Sequence, residues 1–308
     1  MTRNLSLAFL LLCSLATAGC GTMNFVDTMT TGSIAAEPQA EGRGHVYIFR
    51  GVGGKLATMD LDRLADRINA QGVSAKVYDF MEWRMPAQEA IARYRSEARP
   101  SPIVLLGHSA GADVALSFAE RLKEERIPVS LVITLDPTRL PHDVPPNVDR
   151  FINIYASMNF FGGGNVSSGG DYRGHFASID LKNYWEVPHV RMLRIGGLDD
   201  RLVEKIVRVA TAQPNLEGIT VPIRYVMPRG MKVELWDSGV PVRAEAGDTA
   251  GRIAARYGVP AWIVAQLNDV DEASPLEPGR RIVIPRDLDA APPPAVGGPL
   301  TSYVPPAR

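Results

Sequence analysis

From residue 45 onward, short apolar runs alternate with longer stretches whose apolar side chains recur every three or four positions. His45, Val46, Tyr47, Ile48 and Phe49 form the first run, and Leu61, Leu64, Ala65 and Ile68 follow at helical spacing. Residues 75–80 read as a second strand, and Pro86 opens a helix carrying Ala90, Ile91 and Tyr94. The run Ile103, Val104, Leu105, Leu106 precedes a helix marked by Val114, Phe118 and Leu122. Residues 129–135, 151–156 and 177–181 are three further strands, the last closing the sheet, and a helix over 198–212 completes the unit. Strands that are apolar throughout, separated by amphipathic helices, predict an α/β fold: a mostly parallel sheet with helices on both faces. Residues 213–240 hold strand-like stretches at 221–226 and 233–236. The pattern leaves open whether these extend the sheet or pack between domains.

Both ends of the chain depart from this pattern. Arg3 and the apolar stretch from Leu5 to Ala18 have the form of a signal peptide, too short to span a bilayer comfortably. Leu15, Ala16, Thr17, Ala18, Gly19 and Cys20 resemble a bacterial lipobox, with Thr17 where leucine is usual. Ordinary cleavage after Ala16-Thr17-Ala18 is the alternative. It would leave a lone exposed thiol at the mature terminus, which favours lipid attachment at Cys20. Cys13 falls in the removed segment, so the mature chain has no partner for a disulfide. The expected organisation is a signal peptide over 1–19, a flexible tether over 20–44, the α/β domain over 45–212 and a connecting segment over 213–240. A small module over 241–286 and a Pro- and Ala-rich tail over 287–308 complete it. The net charge of −1 gives no electrostatic case for nucleic acid.

The chemistry is concentrated where the run 103–106 meets Gly107-His108-Ser109-Ala110-Gly111. G-x-S-x-G after a buried strand and before a helix makes a sharp turn that lifts the serine hydroxyl to the top of a parallel sheet. Over residues 45–212 the chain resembles the α/β-hydrolase superfamily, in particular its lipase- and thioesterase-like members. That resemblance implies a triad in the order serine, acid, histidine, and hydrolysis of an ester or thioester without a cofactor. Ser109 is then the nucleophile. Asp136 ends the strand after the nucleophile's helix, in Leu135-Asp136-Pro137, and is the expected acid, with Asp180 in reserve. His189, in Val187-Pro188-His189-Val190, is the expected base, with His175 in reserve. The backbone amides of Ala110 and of Val52, in the Gly-rich turn after the first strand, are the expected oxyanion donors. No metal-ligand motif is present in the sequence. Residues 157–175 hold six glycines and the pair Phe160-Phe161. They read equally as a surface loop or as a flap over the site.

Near the C-terminus, Gly247-Asp248-Thr249, the helix-like run 253–257, a second ending at Asn268, and Leu276-Glu277-Pro278-Gly279 before 281–285 agree in spacing. Together they resemble a LysM domain, a β-α-α-β module that binds N-acetylglucosamine-containing glycans. The resemblance implies glycan contacts at Gly247, Asp248, Thr249 and Asn268, and peptidoglycan as a partner. The expectation is an exported, envelope-associated serine hydrolase, anchored to a membrane through Cys20. The competing expectation is a non-catalytic peptidoglycan-binding lipoprotein that uses the hydrolase fold as a scaffold.

Overall fold

A computed structural model describes residues 43–140, 142–160, 162–212, 216 and 219–288. The signal segment, Cys20, most of the tether, Phe161 and residues 289–308 lie outside the described residues. Among the described residues, no helix is long and apolar enough to cross a membrane.

The elements are β1 (His45–Arg50), α1 (Gly54–Ala57), α2 (Met59–Ala70), β2 (Ser74–Asp79), α3 (Arg84–Ser96), β3 (Ile103–His108), α4 (Ala110–Glu124) and β4 (Leu131–Leu135). They continue with β5 (Arg150–Tyr155), β6 (His175–Asp180), α5 (Leu198–Thr211), β7 (Ile223–Val226), β8 (Ser238–Arg243), α6 (Ala250–Tyr257), α7 (Ala261–Asn268) and β9 (Arg281–Arg286). Strands β1 to β7 form one sheet in the order β2-β1-β3-β4-β5-β6-β7. Every pairing in it is parallel. This is the mostly parallel sheet with helices on both faces expected from the sequence, with one addition: β6 is not the last strand. β7 pairs along it from Ala177↔Ile223 to Asp180↔Val226, so part of the connecting segment belongs to the sheet. Residues 233–236, by contrast, are not a strand.

Strand periodicity assigns each residue to one face of the sheet. Val46, Ile48, Val104, Leu106, Ile133 and Ile152 point to the face covered by α2 and α5, a mostly aliphatic core. Tyr47, Phe49, Leu105, Val132, Phe151 and Phe176 point to the face covered by α3 and α4. There, aromatic rings meet at 5.1 Å (Tyr47 with Phe118) and 5.5 Å (Phe49 with Phe118). Because all seven strands run the same way, every strand's C-terminus lies on one edge of the sheet, where side chains from different strands can converge.

The C-terminal module is a two-stranded antiparallel β8–β9 ribbon with α6 and α7 between its strands. It shares its core with the sheet. Ile253, Ile263 and Ile282 belong to the same buried cluster as Ile206, Tyr225 and Trp236. The rings of Tyr225, Trp236 and Trp262 meet one another at 5.2 to 6.2 Å. The Gln266 side chain of α7 accepts from the Val226 amide and donates to the Val226 carbonyl. Lys205 of α5, 2 % exposed, is held by Asp237 and Asp287, each at 2.9 Å. Leu288 is also buried. Residues 287 and 288, assigned to a tail from composition, are therefore part of the packed structure.

A shared core predicts shared unfolding. Trp236→Ala removes a ring that packs on Tyr225 of the sheet and on Trp262 of the module and should lower stability by about 3–5 kcal/mol. Thermal or denaturant unfolding followed by circular dichroism should still show a single transition in that variant. Two resolved transitions would mean that the module and the sheet fold separately.

Candidate active site

Ser109 sits between β3 and α4 with φ 56° and ψ −129°, a backbone region that a non-glycine residue occupies only when its surroundings enforce it. The enforcement is visible. The Ser109 amide donates to the Leu135 carbonyl at 2.9 Å, and the Ser109 carbonyl accepts from Ala112 at 2.8 Å. Gly107 and Gly111 allow the turn because a β-carbon on either would collide with backbone, Gly107 against Gly111 and Gly111 against Phe49.

Asp136 leaves the end of β4 with φ 45° and no exposed surface. Its amide donates to the Ile154 carbonyl at 2.7 Å. Its carboxylate is surrounded by donors: the Ala156 amide at 3.0 Å, the Gly163 amide at 2.8 Å, the Asn159 side-chain amide at 2.6 Å and His189 Nδ1 at 2.5 Å. Burial alone would raise its pKa. The hydrogen bonds from His189, Ala156 and Asn159 outweigh that and hold the carboxyl below the ordinary aspartate value. The Gly-rich segment after β5 therefore has a structural role that its composition did not reveal. Asn159 and Gly163 wrap onto Asp136, and a β-carbon on Gly162 would strike the same carboxylate.

His189 begins a 3-10 turn over His189–Arg194 that follows β6. Because Nδ1 donates to Asp136, Nε2 is the ring atom left to accept a proton. His108 supports this segment from behind. Its Nε2 donates to the His189 carbonyl at 2.9 Å, and the two rings lie 4.6 Å apart. Burial, reinforced by the neighbouring His189 ring, lowers the His108 pKa to about 4. The other histidines lie elsewhere. His175 opens β6 and bonds Ser238 Oγ at 2.9 Å, His142 lies 3.4 Å from Asp113, and His45 lies 3.7 Å from Glu97. Asp180, the reserve acid, accepts from the amides of Ser157 and Lys182 at the end of β6.

Ala110 is the first residue of α4, and Val52 stands in the turn between β1 and α1 with its side chain exposed. Gly51 brings the two together. A β-carbon there would lie 2.7 Å from Ser109 Cβ and 3.2 Å from the Ala110 nitrogen. The turn that carries Val52 is thus packed directly against the serine elbow.

In the C-terminal module, Thr249 Oγ accepts from the Arg252 amide and caps α6. Asp248, 3 % exposed, accepts from the Glu245 amide at 2.8 Å and from the Arg256 guanidinium at 2.6 Å. Asn268 bonds both backbone groups of Val283 at 2.7 Å. Gly251 donates to the Glu272 carbonyl and Leu276 to the Asp248 carbonyl, which joins the start of α6 and the turn before it to the loop after α7.

Residues 243–285 match the LysM domain. Two solved structures are similar to the larger part of the chain. One, from Xanthomonas campestris pv. campestris and provisionally described as a hydrolase of the alpha/beta superfamily, is 15% identical over 55% of this chain and 96% of that one, with a TM-score of 0.32. The other is the thioesterase domain that cyclises the lipopeptide antibiotic surfactin. It is 13% identical over 57% of this chain and 94% of that one, with a TM-score of 0.33. No curated protein matches the chain. In the LysM segment, the side chains of Asp248, Thr249 and Asn268 are all engaged in internal hydrogen bonds.

The buried histidine gives the site a pH signature. With His108 at about 4 in the folded protein and near its ordinary value of 6.5 when unfolded, the unfolded chain binds the extra proton between those limits. Stability should therefore fall as pH drops from 6.5 towards 4, by about 3 kcal/mol from this residue. The depressed Asp136 carboxyl acts in the same direction at still lower pH. Melting temperature measured across this range checks it. His108→Gln, which keeps a donor for the His189 carbonyl but does not titrate, should flatten the slope.

Proposed function

We propose that this chain is an exported serine hydrolase acting on an ester or thioester, held at the cell wall by its LysM segment and at a membrane by lipid on Cys20. The observation that carries the reading is the 2.5 Å bond from His189 Nδ1 to a fully buried Asp136, on the same sheet edge as Ser109 in its strained elbow.

In this reading Ser109 Oγ attacks the acyl carbonyl carbon while its proton passes to His189 Nε2. Asp136 holds the ring tautomer and stabilises the imidazolium that forms. The negative charge on the carbonyl oxygen is met by the amides of Ala110 and Val52. The tetrahedral intermediate collapses, and the alcohol or thiol leaves with the proton from His189. A water then gives its proton to His189 and attacks the acyl-serine, releasing a carboxylic acid and restoring the Ser109 hydroxyl. Peptidoglycan binding by the LysM segment would rest on the backbone of the loops around Gly247 and 268–276.

The test is labelling with a fluorophosphonate, beside hydrolysis of short acyl esters and thioesters. Wild type should label, and Ser109→Ala should not. Ser109→Ala and His189→Ala should each lower kcat/KM by roughly 10⁴-fold, and Asp136→Asn by a similar factor through the wrong tautomer. Absence of labelling in wild type, with retained sedimentation on purified peptidoglycan, would overturn the enzyme reading in favour of a glycan-binding envelope protein.

A further inference from the structure

Among the described residues, the large apolar side chains that remain exposed are confined to one place. Each follows the C-terminal end of a strand of the parallel sheet. Met59 stands after β1, Met81 after β2, Leu140 after β4, Met158 after β5, Trp185 after β6 and Met231 after β7. Met81, Met158 and Trp185 are 76%, 71% and 69% exposed. The opposite edge of the sheet carries none among the described residues, and neither does the LysM segment. Ser109, Asp136 and His189 lie on this same edge, after β3, β4 and β6.

The same segments are basic. Residues 51–59, 80–85, 137–140, 157–160, 181–191 and 227–232 together hold seven Lys or Arg and two Glu, in a chain whose net charge is −1. All seven cations are exposed, among them Lys55, Lys182 and Lys232. Apolar side chains exposed from six separate loops form a broad surface rather than a groove for one peptide. Unbranched methionines and an indole, with cations set among them, fit the boundary between phospholipid headgroups and acyl chains. The basic excess selects an anionic surface.

We propose that this edge of the sheet docks on a bilayer containing anionic phospholipid, so that the edge carrying Ser109, Asp136 and His189 faces the lipid. Trp185 and the surrounding methionines enter the headgroup–acyl boundary, and the cations pair with lipid phosphates. On the serine-hydrolase reading above, the acyl donor then reaches Ser109 from that surface.

The experiment uses the full chain carrying Cys20→Ser, so that no lipid anchor contributes, with phosphatidylcholine vesicles, with and without phosphatidylglycerol, whose acyl chains are brominated to quench tryptophan at shallow depth. Quenching that requires phosphatidylglycerol and falls in Trp185→Phe, the remainder coming from half-buried Trp83 on the same edge, is the expected result. The double variant Met81→Asp, Trp185→Asp should bind these vesicles roughly tenfold more weakly or less, while hydrolysing a water-soluble ester at the wild-type rate. Vesicle binding without quenching of Trp185 would show attachment through another part of the chain and overturn the proposal. Shielding of Trp185 from aqueous quenchers in a dimer, without lipid binding, would overturn it in favour of a second copy. Quenching in a protein that fails to label at Ser109 would support the docking and remove only the serine reaction.

Discussion

A carboxylate taken wholly out of water must be surrounded by donors, and the arrangement around Asp136 organises the whole edge of the sheet. Its four donors come from the end of β5, from the Gly-rich segment beyond it and from the turn after β6. Its own amide is tied to β5, while the carbonyl of the preceding Leu135 receives the Ser109 amide. The end of β4 thus holds three segments: the Asp136 carboxylate binds the histidine turn and the loop after β5, and the Leu135 carbonyl binds the serine elbow. Removing any single donor leaves the carboxylate less well satisfied in a place that water does not reach. The strained backbone at Ser109 and Asp136 persists because these neighbours hold it from several directions.

The second organising contact is the junction with the LysM segment. Tyr225, Trp236 and Trp262 pack where β7 meets α7, and Lys205 is neutralised by two aspartates from the chain flanking the module. A buried lysine is tolerable only with such partners. The ledge that carries Tyr225 and Trp236 is therefore structural as well as connective, although its sequence shows little regular periodicity.

How much could be read from the chain alone follows from how local each signal is. The five central strands, β1 and β3 to β6, announce themselves as apolar runs because both faces are covered. Ser109 and Asp136 directly follow β3 and β4, which is what singled them out in the sequence, whereas His189 lies past a further turn beyond β6. The stretch that forms β7 reads as strand-like, but its place in the sheet was not legible, since Ile223 and Tyr225 face the core while Arg224 is exposed, a pattern too short to name its partner. Asn159 and Gly163 were also beyond reach. Nothing in a loop of glycines, serines and asparagines says which distant carboxylate it will wrap. The reach of His108 to the His189 carbonyl joins residues far apart in sequence, with no periodicity to mark it.

The Gln266 amide at the end of β7 has a further consequence. A primary amide carries one donor and one acceptor at nearly the spacing of a peptide unit, so Gln266 imitates a single residue of a missing eighth strand. The exposed margin of a parallel sheet is a template on which another copy can zip, and proteins crowded together are the ones most at risk of it. Here that margin ends on a side chain that cannot be extended, and the other outer strand, β2, presents Lys76 and Asp79. The module joined to the sheet thereby also works as a stopper against edge-to-edge aggregation, a role independent of whatever its loops bind.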